Sequence, residues 1–232
     1  MKQHSVNYAN PPIPEGYNYA CGEWNSGLVI ERESDGSQFV WVPAGSFDND
    51  EVKLESESTK KYGGFYISRF NISKRKDGKP QSIQGEFPWT ISNYRYAISI
   101  AESIEDSKCG IASHLTYDWE YDIVLQWFIN SDATSYEEIY MDSSCIGNYV
   151  NSKNESDKLA KTGSREDWCI NNIYDLAGNV REWTMETDEL AVRRGGSFSD
   201  SGRVNNASFR YRSSPETGFG TIVGIRAVLS MK

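Results

Sequence analysis

The chain is expected to fold as one α+β domain, a short-stranded twisted antiparallel sheet with two helices packed beside it and an unusual share of ordered loop. Three features point there. Short apolar runs bounded by Gly, Pro, Ser and Asn recur in the first and last thirds of the sequence. Two stretches between them carry apolar residues at helical spacing. No Pro-, Gly- or Ser-rich linker divides the 232 residues, a length that one hydrophobic core can serve.

The elements follow in order. Residues 1–16 read as an N-terminal arm ahead of a domain spanning 17–232, because Pro11, Pro12 and Pro14 bar helix and interior strand alike. Residues 27–31 and 38–42 form two strands, with Ser34-Asp-Gly-Ser37 as their hairpin turn. Pro43-Ala-Gly-Ser46 breaks the second strand. Residues 48–61 are charged and aperiodic, which predicts a loop. Residues 65–72 alternate as a further strand, and the basic run Lys74-Arg-Lys-Asp-Gly-Lys79 is a solvated hairpin tip. A helix is predicted over 92–104, with Ser92 as N-cap and Ala97, Ile98, Ala101 and Ile104 on one face. A second runs over 116–130, capped by Thr116, with Trp119, Ile123, Trp127 and Phe128 as its stripe. Residues 132–167 are polar and predict long loops with one short helix near 135–140. Short apolar segments follow at 173–183, 191–198, 207–212 and 224–229.

Composition narrows the function. The net charge of −9 leaves no basic face for phosphate neutralisation, which argues against nucleic acid as partner. No apolar stretch is long enough to insert in a bilayer, and residues 1–16 hold no hydrophobic signal segment. The expectation is synthesis in the cytoplasm, with release by lysis or as part of a virion. Cys21, Cys109, Cys145 and Cys169 lie far apart and form no CxxC pair, so free thiols are expected. Two histidines, His4 and His114, are too few for a histidine metal cage. His114 just before a helix is expected to stack on Trp or bond backbone. Ser-hydrolase, zinc-protease and P-loop signatures are absent.

Several blocks resemble the formylglycine-generating-enzyme (sulfatase-modifying-factor) family in order and spacing, from about residue 38 onward. They are Phe39-Val-Trp-Val-Pro-Ala-Gly-Ser-Phe47, Gly64-Phe-Tyr-Ile-Ser-Arg-Phe-Asn-Ile72, Pro88-Trp89 and His114-Leu-Thr-Tyr-Asp-Trp-Glu-Tyr121. Asn172-Ile-Tyr-Asp-Leu-Ala-Gly-Asn-Val-Arg-Glu-Trp-Thr184, Arg194-Gly-Gly-Ser-Phe198 and Gly224-Ile-Arg226 complete the set. The resemblance implies a C-type-lectin-like fold. It also implies that loops near Asn179 and Glu182 could hold a structural calcium through oxygen ligands. Within the block itself Gly178 suits a turn needing positive φ, and Asn179 and Glu182 can tie loops together without metal. No other cofactor is expected.

The family's aerobic enzymes use a copper-binding cysteine pair, a few residues apart, between the Gly-Gly-Ser block and the Arg-x-Arg block. Residues 197–212 here contain no cysteine. The related iron sulfoxide synthases need three histidines, which this chain lacks. In place of such a site, residues 195–227 alternate small or structural residues with polar and aromatic runs. This resembles the variable proteins of diversity-generating retroelements, which display a mutable patch on this fold. The resemblance implies a non-catalytic protein that binds a receptor or other ligand, a protein or glycan on another cell or particle, in a phage or bacterial setting. The implied ligand-contacting residues are Ser199, Asp200, Ser201, Arg203, Val204, Asn205, Phe209, Tyr211, Arg212, Ser213, Ser214, Glu216, Thr217, Phe219 and Thr221. Asn codons randomised at their adenines can encode each residue of the runs 199–201, 203–206, 211–214 and 216–221 except Glu216; the set is broad, so the agreement permits the reading without deciding it. The alternative from the same resemblance is a metal-dependent oxidoreductase.

Overall fold

The computed structural model describes residues 11–44, 57–105, 110–152, 158–187, 190–215 and 222–231. Strand β1 (Tyr17–Cys21) leads into β2 (Val29–Arg32) and β3 (Gln38–Pro43). A short helix α1 (Glu57–Tyr62) precedes β4 (Gly64–Ser68), and β5 (Ser73–Lys74) pairs with β6 (Pro80–Gln81) around the basic tip. Then come α2 (Tyr94–Glu102), β7 (Ile111–Leu115), α3 (Asp118–Asn130) and the short α4 (Tyr136–Tyr140). The last third holds β8 (Cys169–Ile170), β9 (Ile173–Tyr174), β10 (Arg181–Thr187), β11 (Leu190–Arg194), β12 (Arg210–Ser213), β13 (Val223–Ile225) and β14 (Ala227–Met231).

A six-stranded antiparallel sheet in the order β1-β2-β3-β4-β14-β7 organises the domain. Both of its faces are covered, which is why its central strands read as unbroken apolar runs rather than alternating ones. Phe39, Trp41, Tyr66 and Leu229 point into a core shared with α2, while Val40, Val42, Phe65, Ile67 and Val228 point into a second core shared with α3. A four-stranded sheet, β12-β11-β10-β13, continues the first core through Trp183, Ala191, Val223 and Ile225. Arg226 joins the two sheets between β13 and β14. Fully buried, it donates to Glu182 Oε1 at 2.7 Å, to the Ser68 and Arg69 carbonyls and to the Tyr174 carbonyl.

The structure corrects several local expectations. Asn93, not Ser92, caps α2, its side chain accepting from the Tyr96 N–H at 2.9 Å. Ile98 is half-buried, and the inner face runs through Tyr94, Ala97, Ile100 and Ala101. Tyr117 rather than Thr116 occupies the cap of α3, with Glu120 accepting from the Tyr117 N–H at 2.8 Å. The Thr116 hydroxyl is buried and donates to the Arg226 carbonyl instead. Tyr121, Val124 and Leu125 carry as much of the α3 core as the expected stripe, and Trp119 is half-buried. The last part of the predicted 48–61 loop is α1, and the rest lies outside the described residues. Strand β1 was not expected. Of the arm, residues 1–10 lie outside the described residues, while Pro11 is buried and the Pro12 carbonyl accepts from the Tyr66 hydroxyl at 3.2 Å.

Candidate ligand-binding face

Residues 197–215 form a loop and an edge strand at one margin of the four-stranded sheet. The loop starts from the Gly-Gly-Ser block and is held from beneath. Arg181 grips Asp200 with two hydrogen bonds, at 3.0 and 2.6 Å, and the Ser197 hydroxyl donates to the same carboxylate at 2.6 Å. Such a two-pronged guanidinium–carboxylate contact fixes direction as well as distance. Asp200 is thereby turned inward, and its carbonyl accepts from the Val150 N–H at 3.0 Å. The turn from Ser201 to Asn205 closes on itself, Val204 and Asn205 donating to the Ser201 carbonyl. Gly202 presses against the loop after α4. A Cβ there would lie 2.6 Å from the Ser144 nitrogen, so no side chain fits.

The segment 206–209 is tied to α4. Asn206 Nδ2 donates to the Tyr140 carbonyl at 2.8 Å, and the Ser143 hydroxyl accepts from the Ala207 N–H at 2.8 Å. Strand β12 then pairs antiparallel with β11, and no strand among the described residues pairs with its outer side. Its side chains alternate. Arg210 turns toward α3, where it and the buried Arg194 share Asp118 and Asp122, Arg194 reaching Asp118 at 2.9 Å. Tyr211 lies over Arg193, whose guanidinium carbon sits 4.4 Å from the ring centroid. Arg212 makes a paired contact with Glu186, which holds that carboxyl below the usual glutamate range.

The expected contact residues therefore divide. Ser199, Arg203, Val204, Tyr211, Arg212 and Ser214 are exposed, Val204 at 74% and Tyr211 at 47%. Asp200, Ser201, Asn205, Phe209 and Ser213 are half-buried, and Asp200 serves the scaffold. Glu216, Thr217, Phe219 and Thr221 lie outside the described residues. Sequence reasoning missed the wall built by residues 140–151, which bonds to the turn through Ser143, Val150 and Asn151. The signal for it was the length of the ordered polar loop.

The two candidate calcium ligands do not fit a calcium ion. Gly178 does take positive φ, at +71°, as the block predicts. Asn179 Oδ1 already accepts from Asn148 Nδ2 at 3.1 Å and from the Ala160 N–H at 2.9 Å. Glu182 Oε1 accepts from both Arg226 and Asn71. One spare oxygen remains between them, Glu182 Oε2, against the roughly six to eight that calcium takes. Asn179 is a loop staple, and Glu182 is half of a buried ion pair. Burial pushes the Glu182 carboxyl up, with Arg226 and Asn71 opposing that rise.

The residues of the alternative chemistry are also placed. His114 Nε2 lies 3.0 Å from Glu120 Oε1, and its ring packs on Tyr117 at 4.9 Å, so it bonds a carboxylate and meets a tyrosine, not the expected backbone or tryptophan. Cys145 is exposed as a residue, but partial burial of its thiol, together with a bond to Glu138, raises its pKa; burial raises that of Cys169 too. Cys109 lies outside the described residues. Among the described residues no three His, Cys, Asp or Glu side chains gather to hold a metal ion. Nor, among them, is any helix long and apolar enough to cross a membrane.

Comparison with solved structures places this architecture. PvdO from Pseudomonas aeruginosa aligns at TM-score 0.58 and 15% identity, covering 95% of this chain and 100% of its own. Treponema denticola variable protein 1 aligns at TM-score 0.55 and 13% identity, covering 85% and 97%. CarF aligns at TM-score 0.52 and 14% identity, covering 73% and 87%. At such identities the likeness is one of fold, the C-type-lectin-like fold of formylglycine-generating-type proteins. No curated protein sequence matches the chain. Residues 79–231 match the family model for the sulfatase-modifying factor enzyme 1-like domain. With most of its length inside that match, the chain belongs to the sulfatase-modifying factor enzyme 1-like family.

Proposed function

We propose that this chain is a non-catalytic binding protein that presents the exposed side chains of 199–214 to a ligand, in the manner of retroelement variable proteins. The observation that carries this reading is the division of labour within the segment. Val204, Tyr211 and their exposed neighbours stand on backbone held by Asp200–Arg181, by Gly202 and by the Arg194–Arg210 ion cluster. A face whose backbone is already ordered loses little entropy when it binds. Such a scaffold tolerates exchange of its outward residues, which diversification requires. The fold likeness to Treponema denticola variable protein 1 supports the same reading. The ligand would be carried by another cell or particle, and the protein would act after release or on a virion.

The coding DNA tests it. A nearby near-repeat of the stretch encoding 195–227, differing opposite adenines and lying beside a reverse-transcriptase gene, is the expected finding. Its absence would reduce the proposal to a binding domain of fixed sequence.

Family membership leaves room for a second reading, a metal-dependent oxidoreductase. Stoichiometric copper or iron binding with oxygen consumption on a thiol substrate would establish that activity. Purified protein that binds neither metal tightly would dispose of it.

A further inference from the structure

Past the C-terminal end of α2 lies a groove that shares no residue with the candidate face. Tyr94 opens the helix against Trp183 at 5.5 Å, and Ser103, Ile104 and Glu105 at its other end wall the groove. About 14 Å of helix separates the groove from the Trp183 contact. It has two bays, of 560 and 470 Å³, which share Arg32, Ser34, Ser103 and Ile104 as lining and are therefore continuous. Each falls within the roughly 300–1,000 Å³ of small-ligand sites.

The floor is a fixed row of alternating charge. Glu105 Oε1 accepts from the Tyr17 hydroxyl at 2.6 Å and from Arg32 Nη1 at 3.0 Å. Arg32 also donates to the Ile104 carbonyl at 2.7 Å, and its Nε–Nη2 edge grips Asp35 at 2.9 and 2.6 Å. The two carboxylates thus lie on different sides of one guanidinium. Beyond Asp35 stands Arg75, which donates to it at 3.2 Å and meets Asp77 at 3.2 Å through Nε. These bonds spend the inner charges on one another and order the wall before any ligand arrives.

What they leave over differs between the bays. Glu15, Glu33 and Glu105 line the first, and Glu33 Oε1 takes Asn18 Nδ2 at 3.1 Å. The Glu15 carboxylate and Glu105 Oε2 have no partner among the described residues. Arg75 and Lys79 line the second bay, where the Lys79 ammonium and Arg75 Nη2 are likewise without a partner among the described residues. One bay therefore offers acceptors to an ammonium, and the other offers donors to a carboxylate. With Arg32 and Asp35 between them, the two ends stand too far apart for a single α-amino acid, whose two charges share one carbon.

We propose that this groove binds a short peptide with both ends free, about three residues long at roughly 3.3 Å per extended residue. Its ammonium sits among Glu15, Glu33 and Glu105, and its carboxylate on Arg75 and Lys79. The site is independent of the binding role proposed for 199–214.

The test titrates glycine, diglycine, triglycine and tetraglycine into the nitrogen-15-labelled full chain. Triglycine should shift the amides of Arg32, Ser34 and Ile104 saturably, and bind more tightly than glycine. Acetylating its amine or amidating its carboxyl should each weaken binding about tenfold. Lys79→Ala should abolish the preference for a free carboxyl, and Glu15→Gln with Glu33→Gln the preference for a free amine. All three side chains are exposed, so thermal melting should not change. Variants that weaken capped and free peptides alike would overturn the assignment of the ends. The site itself fails if no peptide of the series shifts these amides saturably, or if capped and free triglycine bind equally. Shifts confined to Val204 and Tyr211 would also remove it, while leaving the face of 199–214 standing.

Discussion

At the scale of single residues, the candidate face is set by a few side chains that turn inward. Asp200 sits within a polar run that reads as surface, yet it is the acceptor on which Arg181 and Ser197 converge. Asp200→Ala should cost about 1–3 kcal/mol, because Arg181 is left half-buried without its carboxylate; urea unfolding measures it. Gly202→Ala tests the opposite kind of constraint, a space too small for a methyl group. With 2.6 Å between that Cβ and the Ser144 nitrogen, the turn and the wall must part, and a loss of about 1–3 kcal/mol is expected. Full stability in Gly202→Ala would mean that the seam between the two loops is not close-packed.

Among the elements, α3 and α4 both brace the face. The first two turns of α3 offer Asp118 and Asp122 to Arg194 and Arg210, joining helix to β11 and β12. Asp118→Ala removes one of the two carboxylates that hold the buried Arg194, and with Asp122 still in place a loss of about 1–3 kcal/mol in unfolding free energy is expected. At α4, the Thr134 hydroxyl, then the Ser135 N–H, hold the Glu138 carboxyl below its usual range. A depressed carboxylate stabilises the fold above its unfolded value and ceases to do so as pH falls through the folded one. The α4 cap should therefore loosen below about pH 4, visible as faster amide exchange at Ile139, and Glu138→Gln should remove that dependence. The strands were legible because runs such as Phe39-Val-Trp-Val42 are buried on both faces. Strand β1 was not, since it is an edge strand burying Tyr17 and little else. Helix caps were misplaced by one residue where long-range bonds decided the matter. Thr116 spends its hydroxyl on Arg226, and the Ile91 N–H is tied to the Val223 carbonyl just before α2. Within the candidate face, exposure at Val204 and Tyr211 was readable from alternation. The inward turn of Asp200 depends on Arg181, nineteen residues earlier, and no local pattern reports it.

For the molecule as a whole, stability and the proposed recognition fall on different residues. Two cores on the faces of one sheet, with Arg226 joining that sheet to the second, hold the fold without drawing on the exposed side chains of 199–214. Asn179 serves as a staple and Arg226 stands against Glu182, so neither residue is expected to hold an ion on which the fold depends. Chelation by EDTA should leave Tm unchanged to about 1 °C, whereas loss of a bound ion would lower it by several degrees. The same separation predicts how the chain bears diversification. Ser199, Arg203 and Val204 are exposed, and the Arg203–Asp142 pair is a surface contact worth little. Replacing all three together, for instance by Tyr, Ser and Asn, should change unfolding free energy by no more than about 1 kcal/mol. Replacing Asp200 alone should cost as much or more. If the triple substitution unfolds the chain while Asp200→Ala does not, display and support have been assigned to the wrong residues, and the binding face must be sought on another surface of the fold.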